Sequence, residues 1–263
     1  MAILDLKKNN TVEDDRVLQI VTDALEEDDI NVMVQKIVCF SEKKTRFFES
    51  FSSVALKDGA VLEAKKFMHL AKDEATLAND GSPIVHLLDI TILVHTMNAI
   101  YMYKKRGIPV RFFYNVSAKT LLNRMFSKSL DYIFKEKKGF AESIIFEIPW
   151  IDLTENLAAL KSALRKIKAY GASLSVDNVR NLNVNLLELH DLHFDFIKMD
   201  VQAFLKASKG EVNDFLNSCK IKNIDVVCCK IEDNKTLEEI SAYNIKYAQG
   251  FLFDKPKPLK KPT

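Results

Sequence analysis

Polar side chains recur at or near the C-terminal ends of a series of short β-like runs in this chain. They are Glu49, Asn115, Glu147, Asp177, Lys198 with Asp200, Glu232 just past its run, and Gln249. Carboxylates and amide oxygens are hard donors, and several of them converging on one point suit a divalent cation such as Mg²⁺. Taken singly, each such residue reads as a cap or turn former that satisfies strand-end hydrogen bonds. One at nearly every run points instead to a site.

That chemistry needs the runs to be parallel strands whose ends meet at one face. The runs are 32–38, 46–54, 110–115, 143–148, 172–177, 194–198, 225–229 and 245–249. Helical patterns lie between or beside them, at 17–25, 62–72, 84–105, 155–170, 211–220 and 236–243. Leu157, Leu160, Leu164 and Ile167 have the three-to-four spacing of an amphipathic helix, with Asp152 or Thr154 to cap its start and Gly171 after its end. Strands separated by helices imply parallel pairing through right-handed crossovers. Their number predicts an α/β fold, a modified TIM (β/α)8 barrel, with a doubly wound open sheet as the alternative. No helix fits between the first two runs, so they predict one antiparallel strand pair. The expected division is a helical lead-in over 1–30, the barrel over 31–256, and a basic, proline-containing tail over 257–263, extended and solvated.

The 263 residues are 48% hydrophobic, enough for one core, and no Gly/Ser-rich linker divides them. A net charge of +2 with both signs interspersed gives no reason to expect DNA or RNA as a partner. The runs Lys43-Lys44 and Lys135-Glu136-Lys137-Lys138 read as solvated faces. The start of the chain is polar, without the pattern of a signal peptide, and no uninterrupted apolar run reaches the ~18 residues of a membrane span. A cytoplasmic, stand-alone module is the expectation. The apolar stretch 84–103 is broken by His86, Asp89, His95 and Asn98 and predicts a buried helix. Cys39, Cys219, Cys228 and Cys229 lack a CxxC zinc spacing and read as reduced thiols. On a strand, Cys228 and Cys229 point to opposite faces.

In order along the chain, these segments resemble the EAL domain family of cyclic-di-GMP phosphodiesterases. Gln35-Lys36-Ile37 resembles the family's opening Gln-Pro-Ile, and Phe48-Glu49-Ser50-Phe51 stands at its Glu-Ala-Leu signature. Asp58-Gly59 and Phe67-Met68-His69-Leu70-Ala71 resemble the next loop and helix. Tyr114-Asn115-Val116-Ser117 matches the Asn-x-Ser motif, Phe146-Glu147-Ile148-Pro149-Trp150 stands at "lEitE", and Val176-Asp177-Asn178-Val179-Arg180 at the "DDFGtG" loop. Ile197-Lys198-Met199-Asp200 matches "iKiD", Cys229-Lys230-Ile231-Glu232 stands at "EGVE", and 248–256 resembles the family's ending.

The resemblance implies two divalent ions that activate water against a phosphodiester. It assigns the first ion, Mg²⁺ or Ca²⁺, to Glu49, Asn115, Glu147 and Asp177. It assigns Gln35, Asp200 and Gln249 to ligand binding, and Lys198 and a vestigial Glu232 to catalysis; Arg180, outside the family pattern, is the candidate to replace the missing arginine as a phosphate contact of the ligand. The second ion would need carboxylates where Asn178 and Cys229 stand, so that site is expected to be lost. The family's arginine after the signature is Ser53, its second "lEitE" glutamate is Trp150, and its loop glycines give way to Arg180-Asn181-Leu182. The implied function is a catalytically impaired regulator in cyclic-di-GMP signalling, acting through a protein partner, as a cyclic-di-GMP receptor, or both. The alternative is a weak phosphodiesterase producing pGpG. A homodimer is compatible with either, and no membrane association is expected.

Overall fold

A short connection folds β1 (Ile30–Cys39) back on β2 (Lys44–Ala55) in the expected antiparallel pair, which places Gln35 opposite Glu49. In this computed structural model the backbone is described for residues 2–259 apart from 43, 57–58, 74–75 and 138, and side chains from residue 13 onward. Lys43, Asp58, Lys138 and residues 260–263 therefore lie outside the described residues.

After β2 come β3 (Val61–Glu63), α2 (Ala64–Ala71) and α3 (Ile84–Lys105), preceded in the chain by α1 (Ala2–Glu26). Strands and helices then alternate: β4 (Phe112–Asn115), α4 (Ala118–Leu122), α5 (Arg124–Glu136), β5 (Ile144–Pro149), α6 (Trp150–Ala169), β6 (Ser173–Val179), α7 (Leu186–Asp191) and β7 (Phe196–Asp200). The remainder is α8 (Val201–Leu205), α9 (Lys209–Ile221), β8 (Asp225–Cys229), α10 (Asn234–Ser241), β9 (Tyr247–Ala248) and β10 (Lys257–Pro258). The order β1-β9-β8-β7-β6-β5-β4-β2 closes through the β1–β2 pairing into an eight-stranded α/β barrel, so the open-sheet alternative falls. One reversed strand in a closed barrel has two antiparallel edges, and β1 is antiparallel to β9 as well as to β2.

Closure creates two apolar regions. The larger lies between strands and helices and holds, among others, Leu88, Phe112, Tyr114, Phe146, Leu160, Leu164 and Phe204. The smaller plugs the barrel with Ile37, Phe47, Phe113, Ile145, Phe196, Val227 and Tyr247. Phe47 anchors that plug through edge-to-face contacts with Phe113 at 5.5 Å, Phe196 at 5.4 Å and Tyr247 at 5.0 Å. The Arg111 guanidinium lies over Phe47 and Phe196 and donates to Ser173 Oγ at 2.6 Å.

The apolar stretch at 84–105 is the core helix α3, with ten buried residues, although it is long and apolar enough to cross a membrane. Several elements differ from the sequence expectation. Residues 61–63 pair with the end of β2, so the helix expected from 62 begins at Ala64. The unforeseen α5 buries Phe126, Leu130 and Phe134, a four-residue spacing, and its cap Asn123 accepts from the Met125 and Phe126 amides. The start of the tail is extended and exposed as expected, but it also pairs with β1 as β10.

Candidate functional site at the barrel mouth

Side chains on a strand alternate faces, so two residues beyond an inward-facing plug residue comes another inward-facing one. Phe47 leads to Glu49, Phe113 to Asn115, Ile145 to Glu147, Phe196 to Lys198, Val227 to Cys229 and Tyr247 to Gln249. On the reversed β1 the same step runs backwards, from Ile37 to Gln35. A polar layer therefore sits directly on the aromatic plug. Glu49 belongs to it although it lies mid-strand, because β2 runs on to Ala55.

Lys198 holds this layer together. Its ammonium lies 2.6 Å from Glu49 Oε2, 2.7 Å from Glu147 Oε1 and 3.8 Å from Asp177 Oδ1. Asn115 Nδ2 donates to Glu49 Oε1 at 3.0 Å, and Gln249 Nε2 donates to Glu49 Oε2 at 2.6 Å and to Gln35 Oε1 at 3.0 Å. Gln35 Nε2 in turn donates to the Asp254 carbonyl at 2.8 Å. Burial works against the charge on Lys198, but Glu147, Glu49 and Asp177 together raise its pKa well above the ordinary lysine value, so it stays an ammonium. Burial pushes the Glu147 carboxyl well above the ordinary range despite Lys198.

Five residues singled out by sequence thus join one network: Lys198 holds Glu49 and Glu147 directly, with Asp177 at the edge, Asn115 and Gln249 join through Glu49, and Gln35 joins through Gln249. Asp200 and Arg180 stand further out. Asp200 caps α8 through the Gln202 amide and pairs with Lys230 at 2.7 Å, while Arg180 is exposed and donates to Asn178 Oδ1 at 3.2 Å. Glu232 is exposed in the loop after β8, outside the layer. Ser53 is buried with its hydroxyl unpartnered, and Trp150 opens α6 and packs on the main core. Cys228 faces the outer core and Cys229 the barrel interior, as the strand geometry predicts. All four cysteines are free.

Beside the layer lies a cavity of about 250 Å³, bordered by Glu49, Asn115, Asp177, Asp89, Met68 and Lys72. Sequence reasoning missed Asp89 and Lys72. Asp89 is the only carboxylate in α3 and is buried, which was the available signal. Its Oδ2 accepts from the Ser117 amide and hydroxyl, each at 3.0 Å, and burial pushes its pKa up to about 6. Lys72 pairs with Asp152 of α6 at 3.1 Å.

The donor set fits one hard cation. Glu147 is fully buried and its Oε2 finds no hydrogen-bond partner, an orphaned carboxyl oxygen beside two further carboxylates and an amide. Among the described residues no three carboxylate, thiol or imidazole groups already stand at coordinating positions, and Glu49 and Glu147 converge on Lys198 instead. The donors expected for a second ion do not fit one. Burial holds the Cys229 thiol protonated despite Lys198, and Asn178 is neutral and engaged by Arg180.

A closed barrel with seven parallel strands, one reversed strand and a carboxylate–lysine layer at its mouth defines a β/α-barrel protein whose site lies at the C-terminal ends of its strands. Residues 18–256 match the EAL domain family, and the chain belongs to it. Among curated proteins it is 27% identical over 195 residues to the cyclic di-GMP phosphodiesterase PdeA of Borreliella burgdorferi, covering 68% of this chain and 29% of that protein. It is 20% identical over 199 residues to the cyclic di-GMP phosphodiesterase PdeF of Escherichia coli, covering 71% and 26%. The chain thus spans less than a third of the length of either relative. The same fold is seen in the FimX EAL domain of Xanthomonas citri in complex with c-diGMP, with a TM-score of 0.77, 12% identity, and 96% and 97% of the two chains covered. It is seen too in YkuI of Bacillus subtilis, solved with substrate c-di-GMP and calcium, with a TM-score of 0.74, 19% identity, and 92% and 58% covered.

Proposed function

We propose that this protein is a regulator in cyclic-di-GMP signalling that binds the dinucleotide at the barrel mouth and hydrolyses it poorly or not at all. One observation carries this reading: the donors for one ion are intact around Lys198, while the two positions for a second ion hold a neutral thiol and an amide occupied by Arg180. Glu49, Asn115, Glu147 and Asp177 would hold one Mg²⁺ or Ca²⁺, which would neutralise charge on a bound phosphodiester. Gln35, Asp200, Arg180 and Gln249 would frame the ligand, with Lys198 as a fixed positive charge beneath it. The protein would work in the cytoplasm and pass the signal to a protein partner, as a monomer or homodimer. The alternative is a weak phosphodiesterase releasing pGpG, favoured by the retention of Lys198 within the carboxylate layer.

Calorimetric titration of cyclic-di-GMP in the presence of Ca²⁺ tests the receptor. Micromolar or tighter binding, with no pGpG formed in Mg²⁺ or Mn²⁺, is the expected result. No binding overturns the receptor, and steady pGpG release establishes the alternative.

A further inference from the structure

Each of the two positions that lack a second-ion carboxylate has a cation close after it. Arg180 stands two residues beyond Asn178, and Lys230 directly follows Cys229. The barrel brings both toward Asp200 at the end of β7. Lys230 Nζ lies 2.7 Å from Asp200 Oδ2, and Asp200 Oδ1 accepts from the Gln202 amide at 3.0 Å. Burial pushes the Asp200 carboxyl up, but Lys230, the Gln202 amide and Arg180 together hold it below its ordinary value. Lys230 thus pairs directly with Asp200, and Arg180 adds a second positive charge on the same side of the mouth. The Lys230 side chain is 55% exposed, so its ammonium is open to solvent while it holds Asp200 at the end of β7. Asp177 already faces Lys198 at 3.8 Å, and Glu232 is exposed outside the layer.

Lys230 holds a left-handed backbone, with φ of 65°, and Asn178 does the same at 60°. Asparagine adopts that conformation readily. Lysine does so only at a cost relative to glycine, because its Cβ crowds the backbone there. A lysine at such a position places a charge where glycine would be the more stable residue. Guanidinium and ammonium groups bind phosphate oxygens through charge-assisted hydrogen bonds, and they repel an incoming metal ion.

We propose that Lys230 and Arg180 act as fixed protein cations in place of a second divalent ion, so that this half of the mouth binds a phosphodiester without metal there. The inference rests on the reading of the mouth as a cyclic-di-GMP site.

The test is calorimetric titration of cyclic-di-GMP into the full chain, once with Ca²⁺ and once with excess EDTA, for the unaltered protein and for Lys230→Gly combined with Arg180→Ala. Lys230→Gly removes the charge and relaxes the backbone, so thermal stability is expected to hold or rise, which separates a binding defect from a folding one. The unaltered protein is expected to retain measurable affinity in EDTA, and the double variant to lose at least about tenfold there. Binding in Ca²⁺ that vanishes in EDTA, or a double variant that binds in EDTA as well as the unaltered protein, overturns this inference and leaves the receptor standing. Absence of binding under both conditions overturns both.

Discussion

Lys198 Nζ and Glu49 Oε2 lie 2.6 Å apart although 149 residues separate them, and their side chains are only 2% and 5% exposed. The pair is closed over by Gln249 and Asn115, and the same ammonium serves Glu147. Removing one partner of a buried ion pair leaves the other charge unpaired in a poorly solvated place. Lys198→Met is therefore expected to destabilise the fold by about 3–5 kcal/mol in urea unfolding. Added Ca²⁺ is expected to recover part of the loss, because an ion can take the place of the ammonium between the two carboxylates.

Asp89 supplies a pH signature. Its pKa is raised by burial to about 6 in the folded chain, above its unfolded value, so the folded state holds the proton more tightly. Its contribution is full below the unfolded value of about 4 and is lost as pH rises through about 6. Stability is thus expected to fall across that window by up to about 3 kcal/mol from this group. Asp89→Asn keeps an acceptor for the Ser117 amide and is expected to flatten the fall, measured as unfolding midpoints between pH 4 and pH 7.

Gly250, at the end of the barrel after Gln249, leaves no room for a side chain. A Cβ there would overlap the backbone oxygen, nitrogen and carbonyl carbon of Ile231, none of which is a flexible end that could swing away. Gly250→Ala must push the β8–α10 loop outward, and a loss of about 3 kcal/mol, the upper end of ordinary overpacking, is expected by thermal melting. Gln249 shares that backbone, accepting at its carbonyl from the Ile231 amide at 3.2 Å, so ligand affinity is expected to fall as well.

Restoring both lost carboxylates tests how much catalytic machinery survives. Asn178→Asp with Cys229→Glu is expected to raise pGpG formation in Mg²⁺ or Mn²⁺ by at least about tenfold over the parent, followed by chromatography. An unchanged rate would assign the deficit to Ser53 and to the glycine-free Arg180-Asn181-Leu182 segment instead.

The two-residue alternation in the strands makes the composition of the polar layer readable in advance. Phe47 and Glu49, Phe113 and Asn115, Ile145 and Glu147 must share a face whatever the tertiary arrangement, because the pleat has a period of two. The alternation of strands and helices makes the barrel readable in the same way, since parallel strands need crossovers. The short connection at 40–43 likewise implies the antiparallel β1–β2 pair. What local sequence does not encode is which charges meet. Lys198 joins Glu49 and Glu147 only because closure brings β2, β5 and β7 around one axis. The Lys230–Asp200 pair, the left-handed backbone under Lys230 and the burial of Asp89 depend on the same closure. Periodicity decides the side a residue faces. Distances of a few ångströms between residues far apart in the chain are decided by how the strands close on each other, and burial, charge and pKa follow from those distances.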